Sequence, residues 1–573
     1  MIDLKGRPFY LTDEDVSWVQ DTLASMTEEE KIGQLFCVTD MITEEDALKA
    51  FIGKYKPGGF MYRAGDGADI QRAHRAMQEA SRIPLLLAAN LESGGNGVAQ
   101  GGTYFGKEMQ VAATDEPEQA RRLGVVCGRE GGAVGCNWAF APIVDIDMNW
   151  RNPITNVRTF GSDPDRVLAM AHAYMDGVAA SGVDMAVCIK HFPGDGVDER
   201  DQHLLSTVNS LTAEQWEQSY GRVYQGLIDH GAQTVMVGHI LQPAMARKLC
   251  PGIRDEDILP GSTSRLMMTD LLRGQLGFNG LISTDATPMV GFTGTLTRRE
   301  ALQTAVMGGA DVILFCKSID EDYAAIREGL ETGKVTRARL DEAVTRSLAL
   351  KASLRLPQKQ RAGTLVPDAS ALRALGCEEH GEWARECASK AVTLVKDNQH
   401  LLPISPLRTK RIRLTVLGEN EEGAFGDNEQ VGGRMKAALE AAGFDVAVYD
   451  EATLEHGEIF TCGVADMKAK FDLSMVVANV AAGSNNTTRR LNWIRLMAAN
   501  EPWYVKEIPT LFISFANPYH LVDVPFISTF INCYSQSAFC VKACVDKLLG
   551  RSDFVGKSPV DPFCGDVWGA KFM

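Results

Sequence analysis

The sequence predicts an α/β protein with an eight-stranded parallel barrel in its N-terminal part and an open α/β sandwich in its C-terminal part. Its 573 residues are too many for one ordinary hydrophobic core. Up to about residue 355, short apolar runs alternate with helical patterns, which indicates parallel strands with helical crossovers. About eight such runs are present, the number that closes a TIM-type (β/α)8 barrel. The runs are 32–38, 59–62, 85–89, 138–146, 185–189, 234–240, 281–283 and 312–316.

A boundary between the two domains is expected near residue 365, giving a barrel domain over 1–365 and a sandwich domain over 366–573. Helical patterns at 321–331 and 338–355 are followed by a stretch that looks less ordered, 356–367. Beyond it, five strands and two helices are predicted. The strands are 412–417, 445–449, 473–480, 510–515 and 529–534, and the helices are 435–442 and 538–549. No strand is followed by G-x-G-x-x-G, so a dinucleotide-binding domain is not expected.

Composition excludes several classes of partner. A formal net charge of -16 argues against nucleic acid. No segment is apolar for long enough to span a bilayer, so no membrane partner is expected. The 13 cysteines are not arranged at metal-ligand spacing, which favours free thiols in a reducing compartment. With no signal peptide evident, we expect a cytoplasmic protein; the oligomeric state stays open.

Polar residues stand at the ends of five of the predicted barrel strands. They are Asn90, Asp145, Asp147, Lys190, His191, His239 and Asp285. In a barrel the carboxyl ends of the strands converge on one mouth, where barrel enzymes place their active sites. Any one of these residues alone could simply face water, and a satisfied buried histidine is the better interpretation of His239. Five polar strand ends together favour a functional site.

The stretch 190–203 contains a carboxylate and an imidazole two positions apart, Asp201 and His203. In an extended loop such residues project to the same side. A carboxylate on one ring nitrogen fixes the tautomer and stabilises the charged imidazole, so His203 is a candidate proton donor and acceptor. A solvated loop histidine beside a chance acid is the alternative.

Asp285 follows the buried run 281–283, from which only Thr284 separates it. A carboxylate there can serve as a nucleophile, a metal ligand or an acceptor for sugar hydroxyls. No clustered histidine and carboxylate ligands accompany it, which makes a metal site the weaker choice. A structural cap of the following loop is the alternative.

Together these stretches resemble glycoside hydrolase family 3, and most closely its bacterial β-N-acetylglucosaminidase branch. The resemblance covers nearly the whole chain. The matching segments are 141–145, 158–164, 190–194, 272–285, 391–396, 402–403 and 556–560.

The resemblance implies a role for each matching residue. Asp285 corresponds to the nucleophile, His203 to the acid/base and Asp201 to its orienting partner. Residues expected to contact the sugar are Lys190, His191, Arg158, Asn90 and Met289, the last of which has core packing as an equal alternative. No metal or organic cofactor is implied.

The implied function is that of a retaining exo-β-glycosidase, which hydrolyses terminal β-N-acetylglucosaminides through a covalent glycosyl-enzyme. Its substrate is a small carbohydrate. Four alternatives stay open: a β-glucosidase, a phosphorylase, a non-catalytic sugar-binding protein, and a Schiff-base aldolase using Lys190. Phosphorolysis stays open because a His–Asp pair in place of a second catalytic carboxylate lets an anion such as inorganic phosphate approach. The acidic loop 419–422 is an alternative source of the acid.

The chain departs from the family pattern between the dyad residues and in the stretch 90–96 after the third predicted strand, where both an aspartate and an arginine of the family are altered. Gln202 stands between the two dyad residues, where the family has a small hydroxyl residue. Asn90 stands near the position of an aspartate that grips a sugar hydroxyl, and the change removes a charge-assisted hydrogen bond. The departures therefore bear on the identity of the sugar more than on the type of reaction.

Overall fold

The structure is a computed structural model that describes residues 2–39, 42–418, 430–449, 462–492, 496–497 and 501–566. The chain divides into two compact units that interleave along the sequence. The first is Met1–Phe105, Ala120–Ile146 and Pro164–Gly381, and the second is Gly106–Gln119, Asp147–Asp163 and Glu382–Met573. Two segments that precede residue 365 thus belong with the second unit, and the boundary expected there stays a prediction.

The first unit contains the closed parallel barrel that the sequence predicts, and this prediction is confirmed. We number its strands β1 (Phe36–Thr39), β2 (Gly59–Met61), β3 (Leu86–Ala89), β4 (Trp138–Ala139), β5 (Ala186–Phe192), β6 (Thr234–Val237), β7 (Leu281–Ala286) and β8 (Val312–Leu314). Each pairs with its neighbours in chain order, and β1 closes the ring against β8. Most strand residues are buried, because helices cover the outside of such a barrel and side chains fill its interior.

Helices occupy most of the connections between these strands. Up to residue 391 they are Asp13–Ser25, Glu28–Gln34, Glu45–Tyr55, Gly67–Ala80, Glu108–Ala113, Pro117–Ala133, Pro164–Ala180, Ala213–Trp216, Arg222–His230, Pro243–Leu249, Leu266–Gln275, Val290–Thr293, Arg298–Gly308, Ile319–Thr332, Arg337–Ser353, Leu356–Ala362 and Glu378–Ala391. Two short strand pairs are added, Gly65–Asp66 with Ala99–Gln100 and Thr207–Val208 with Ile240–Leu241. Among the described residues, no helix combines the length and the apolar character needed to cross a membrane.

Two local predictions are wrong. The predicted first strand begins too early, because a capping box between Thr27 and Glu30 starts a helix that runs to Gln34. The stretch predicted as less ordered begins with the helix Leu356–Ala362, which has a proline in its first turn. Its first residue, Leu356, is 1% exposed, so burial of this side chain helps to hold the helix in place.

The second unit contains a six-stranded sheet, which confirms the predicted open α/β sandwich. We number its strands β9 (Thr393–Asp397), β10 (Arg411–Leu417), β11 (Asp445–Tyr449), β12 (Leu473–Ala478), β13 (Thr510–Ser514) and β14 (Thr529–Asn532). Their order is β9-β14-β13-β12-β10-β11, with β9 antiparallel and the others parallel. Helices Val431–Ala441 and Ala538–Leu548 pack in one apolar cluster with the sheet, and a second apolar cluster contains other residues of the same strands.

A buried carboxylate, Asp311, ties the start of β8 to its surroundings. It accepts the backbone amide of Ile282 at 2.9 Å. Its ion pairs are with Arg273 at 2.6 Å, Arg339 at 2.8 Å and Arg346 at 3.5 Å. Burial raises the pKa of Asp311, but the three guanidinium groups outweigh burial and hold that pKa below its ordinary value of 3.8.

We predict that Asp311→Ala lowers the free energy of unfolding of the barrel by about 3–5 kcal/mol, because it removes the carboxylate that pairs with the mostly buried Arg273. It also leaves Arg339 and Arg346 to their remaining pairs with the partly exposed Glu342. Thermal and urea unfolding at neutral pH would measure the loss. Since the folded pKa of Asp311 is depressed, this stabilisation exists above about pH 4 and disappears as the pH falls through the folded value. The control is Glu28→Gln, which breaks an exposed pair with Arg337 and should cost about 1 kcal/mol or less. Equal losses in the two variants would contradict the prediction.

Candidate active site

Asp285 lies near the carboxyl end of β7 and its side chain is 13% exposed. One carboxylate oxygen accepts the backbone amide of Ala286 at 2.6 Å, and the other lies 3.9 Å from Nε2 of His191. Burial raises the pKa of Asp285, but the electrostatic effect of His191, the largest of the lowering effects, together with that of His203 and the hydrogen bond from the backbone amide of Ala286 outweighs burial, so its pKa lies below the ordinary 3.8. Asp285 is therefore an anion at neutral pH and is available as a nucleophile.

His191, near the end of β5, is oriented by the buried carboxylate of Asp145. Nδ1 of His191 lies 2.7 Å from Oδ2 of Asp145, and its backbone amide donates to Oδ1 at 3.1 Å. With Nδ1 turned to one carboxylate, Nε2 faces the other, Asp285. From the sequence, Asp145 is a polar residue at a strand end with no assigned role, although the match over 141–145 was a signal.

Lys190 is almost completely buried and forms an ion pair with Glu92, with 2.7 Å between Nζ and Oε1. Glu92 lies in the loop after β3, which also begins with the exposed Asn90. The ion pair favours a cation that binds hydroxyls over an amine nucleophile, and so it argues against the aldolase alternative. Sequence reasoning did not name Glu92 as a site residue, and its position two residues beyond the strand end was the available signal.

The predicted pairing of Asp201 with His203 is present. Oδ1 of Asp201 lies 2.7 Å from Nδ1 of His203 and accepts the histidine's backbone amide at 2.8 Å. The carboxylate is fully buried, whereas the imidazole is 26% exposed. The pair thus holds Nδ1 and leaves Nε2 to exchange a proton with a bound molecule.

The loop that carries this pair is attached to the segment that follows Asp285. The backbone amide of Val290 donates to the carbonyl of His203 at 3.0 Å, and that of Gly291 donates to the carbonyl of Gln202 at 3.1 Å. The pair and the carboxylate of Asp285 are consequently held as parts of one framework, which agrees with the electrostatic influence of His203 on the pKa of Asp285.

His239, just beyond β6, is a buried histidine with partners on both ring nitrogens. Nε2 lies 3.0 Å from the carbonyl of Ala286, and Nδ1 lies 2.7 Å from the hydroxyl of Ser262. Since a carbonyl only accepts, Nε2 carries the proton and Nδ1 accepts from Ser262. Burial lowers the pKa of His239, which favours this neutral form. The interpretation of His239 as a satisfied buried histidine is confirmed.

The other predicted positions are less closely associated with this group. Met289 is buried, and its backbone amide donates to the carbonyl of Ala286 at 3.1 Å. Arg158 belongs to the second unit, where its guanidinium donates to the carbonyl of Ile154 at 3.4 Å. Asp147 belongs to that unit too and accepts the hydroxyl of Thr155 at 2.6 Å. The acidic loop 419–422 lies outside the described residues.

Comparison with known proteins identifies the class of this enzyme. Residues 27–350 match the glycosyl hydrolase family 3 N-terminal domain. A protein of Cellulomonas fimi named beta-N-acetylglucosaminidase/beta-glucosidase is 43% identical over 567 residues, covering 99% of each chain. The chain is therefore a glycoside hydrolase. It belongs to glycosyl hydrolase family 3.

Two solved structures extend the comparison. One, titled beta-glucoside phosphorylase BglX, has 45% identity, a TM-score of 0.92 and 99% coverage of both chains. The other, a family 3 beta-N-acetylglucosaminidase from Paenibacillus sp. str. FPU-7, has 23% identity and a TM-score of 0.78 over 94% of this chain and 99% of that one. At 23% sequence identity, the second comparison shows a shared fold. The two relatives with 43% and 45% sequence identity thus carry names that differ in the reaction and in the sugar.

We predict that His191→Asn moves the acid limb of the pH dependence of kcat/KM to higher pH. The variant removes the largest of the charge effects that lower the pKa of Asp285, so burial raises that pKa with less opposition. The limb is measured with an aryl β-glycoside between pH 3 and 7. His230→Asn is the control, because His230 pairs with Asp176 on the outer helices. An unchanged limb in His191→Asn would contradict the electrostatic role of this histidine.

Proposed function

We propose that this enzyme cleaves terminal β-linked N-acetylglucosamine or glucose by double displacement, with Asp285 as the nucleophile and His203 as the acid/base. The observation that carries the proposal is the ionised carboxylate of Asp285 held in one framework with a histidine whose Nδ1 is bound by Asp201. Carboxylate attack at the anomeric carbon requires the anion, and departure of the aglycone requires a proton donor.

In the first step, protonated His203 gives the proton on Nε2 to the glycosidic oxygen while Asp285 attacks the anomeric carbon. The carbon–oxygen bond to the aglycone breaks, an alcohol leaves, and a glycosyl ester of Asp285 remains. The buried carboxylate of Asp201 stabilises the imidazolium before transfer and keeps its Nδ1–H in place afterwards.

In the second step, neutral His203 takes a proton from water as the water oxygen attacks the anomeric carbon. The ester bond breaks, the sugar leaves with its original anomeric configuration, and both catalytic groups return to their starting charge states. Two displacements at one carbon restore the configuration, so the proposed mechanism is retaining.

On the substrate side, we propose that Lys190, His191, Asn90 and Met289 contact the non-reducing sugar. Nε2 of His191 lies 3.9 Å from the carboxylate of Asp285, and Lys190 precedes His191 on β5; an ammonium and an imidazole suit sugar hydroxyls. Asn90 supplies both a donor and an acceptor without a charge. The names of the relatives support glucose and N-acetylglucosamine as the sugars, and the small-carbohydrate partner follows from them.

We predict that a 2-deoxy-2-fluoro-β-glucoside with a dinitrophenyl leaving group labels Asp285, because fluorine slows both steps through their oxocarbenium-like transition states and the activated leaving group speeds only the first. Peptide mass spectrometry of the inactivated enzyme would locate the glycosyl ester. Asp285→Ala should abolish both labelling and turnover, with a loss on the order of 10⁴-fold or more. Asp320→Ala, which removes an exposed carboxylate, is the control. A label on another residue, or full activity in Asp285→Ala, would overturn the assignment.

Phosphorolysis is a second candidate because a relative that is 45% identical over 99% of both chains is titled a beta-glucoside phosphorylase. Electrostatics favour it as well. The acid/base His203 is neutral when the glycosyl ester has formed, and the negative charge of Asp201 is fully buried behind it. An attacking phosphate then meets one fewer exposed anion than in an enzyme with two catalytic carboxylates.

We predict that adding millimolar inorganic phosphate diverts part of the product from free sugar to the sugar 1-phosphate, in the retained configuration. Proton and phosphorus NMR of the reaction mixture would measure the division. Sulfate at the same ionic strength is the control for general anion effects. Free sugar alone at every phosphate concentration would exclude phosphorolysis and leave hydrolysis as the reaction.

We also propose a cytoplasmic location. The 13 cysteines support it, because several are fully buried thiols that suit a reducing environment, such as Cys188 and Cys533. A fusion to a fluorescent protein, followed by cell fractionation, would test it.

A further inference from the structure

Gln202 is the residue between the two members of the Asp201–His203 pair, and its side chain is completely buried. Its amide nitrogen donates to Oδ2 of Asp195 at 3.3 Å. Its amide oxygen accepts the backbone amide of His239 at 2.8 Å. One side chain thus joins the loop of the pair to the segment after β5 and to the end of β6.

The groups that Gln202 contacts are themselves firmly held. The backbone amide of Asp195 donates to Asp145 at 2.8 Å, and its carbonyl accepts the hydroxyl of Tyr220 at 2.5 Å. Both ring nitrogens of His239 have partners, as described above. Gln202 therefore bonds the loop to two residues, Asp195 and His239, that have further hydrogen bonds of their own.

Two glycines give Gln202 the room it occupies. A Cβ on Gly238 would lie 3.0 Å from the amide oxygen of Gln202, tighter than most real contacts. A Cβ on Gly291 would lie 2.5 Å from the carbonyl oxygen of Gln202 and would clash with it. Gly238 thus leaves room for the amide side chain and Gly291 for the backbone of the loop, and a serine side chain at position 202 would be too short to reach both partners of the amide.

We propose that Gln202 is a positioning residue that holds His203 at the distance and orientation needed for proton transfer. This inference rests on the proposed function of His203 as the acid/base. A buried amide bonded at both ends restricts the loop more strongly than a single hydroxyl, since breaking it leaves a buried carboxylate and a buried backbone amide short of a partner. Proton transfer is sensitive to displacements of about 1 Å, so loosening the loop slows bond cleavage.

The test uses Gln202→Ser and Gln202→Met in the full-length enzyme. Methionine keeps the length and volume but has no amide, so it separates hydrogen bonding from packing. For each variant kcat/KM is measured with a phenyl β-glycoside, whose leaving group needs a proton, and with a 2,4-dinitrophenyl β-glycoside, whose leaving group does not. Since kcat/KM covers only the steps through the first irreversible one, it reports glycosyl-enzyme formation in both cases.

We expect both variants to lose about tenfold to hundredfold on the phenyl glycoside and to stay within a few-fold of the parent on the dinitrophenyl glycoside. The control is Gln78→Ser. Gln78 is likewise buried and bonded at both ends of its amide, to the backbone of Leu85 at 2.9 and 3.0 Å. Its loss should affect unfolding but not the difference between the two substrates.

Equal losses on the two substrates would show that Gln202 is only structural, and unchanged values on both would show that the loop does not need it; either result overturns the inference. His203→Ala separates this failure from a failure of the proposed function. If His203→Ala shows the selective loss on the phenyl glycoside and the Gln202 variants do not, only the positioning role is wrong. If His203→Ala shows no selective loss, the acid/base assignment itself is wrong.

Discussion

The site depends on one carboxylate, that of Asp145 after β4, which accepts hydrogen bonds from the end of β5 and from the turn that follows it. It binds the ring and the backbone of His191 and the backbone amide of Asp195. His191 in turn faces Asp285. From Asp195 the connections run through Gln202 to the end of β6, and so to the carbonyl beside the nucleophile. A continuous series of buried hydrogen bonds thus links the carboxyl ends of four neighbouring strands, where a loss at one point leaves buried groups unsatisfied at others.

The charges of this mouth are arranged so that the nucleophile stays ionised while buried. Burial alone would favour the protonated acid. Each neighbouring basic side chain is paired with a carboxylate of its own: Lys190 with Glu92, His191 with Asp145, and His203 with Asp201. The imidazoles can thereby act on Asp285 without leaving an uncompensated positive charge in the interior. In the proposed mechanism, a histidine as acid/base has a second consequence, because its neutral form would leave the glycosyl ester open to an anion as well as to water.

Much of this could be predicted from the sequence. The eight strands and the helices predicted at 321–331 and 338–355 follow from local periodicity, since a fully buried parallel strand is a short apolar run and an outer helix is an amphipathic one. The pairing of Asp201 with His203 is also local, because two residues in an extended loop share a side. The early helix ending at Gln34 and the helix Leu356–Ala362 were mispredicted. A capping box starts the first of these helices, and the apolar run 32–38 does not reveal this. A first-turn proline and the burial of Leu356 favour the second, which a Pro-Gln stretch does not reveal either.

The sequence by itself determined the fold class, the strand ends that carry polar groups and the pair Asp201–His203, because each depends on spacing along the chain. Only the tertiary structure decided which strand-end residues act together. Glu92 and Lys190 are 98 positions apart, and Asp145 and His191 are 46 apart. The tertiary structure also decided the place of Gln202. In the sequence this residue is only a difference from the family pattern, and the two hydrogen bonds of its amide are seen only in the folded protein. Its partners, Asp195 and His239, come from different strand ends and meet only when the barrel closes.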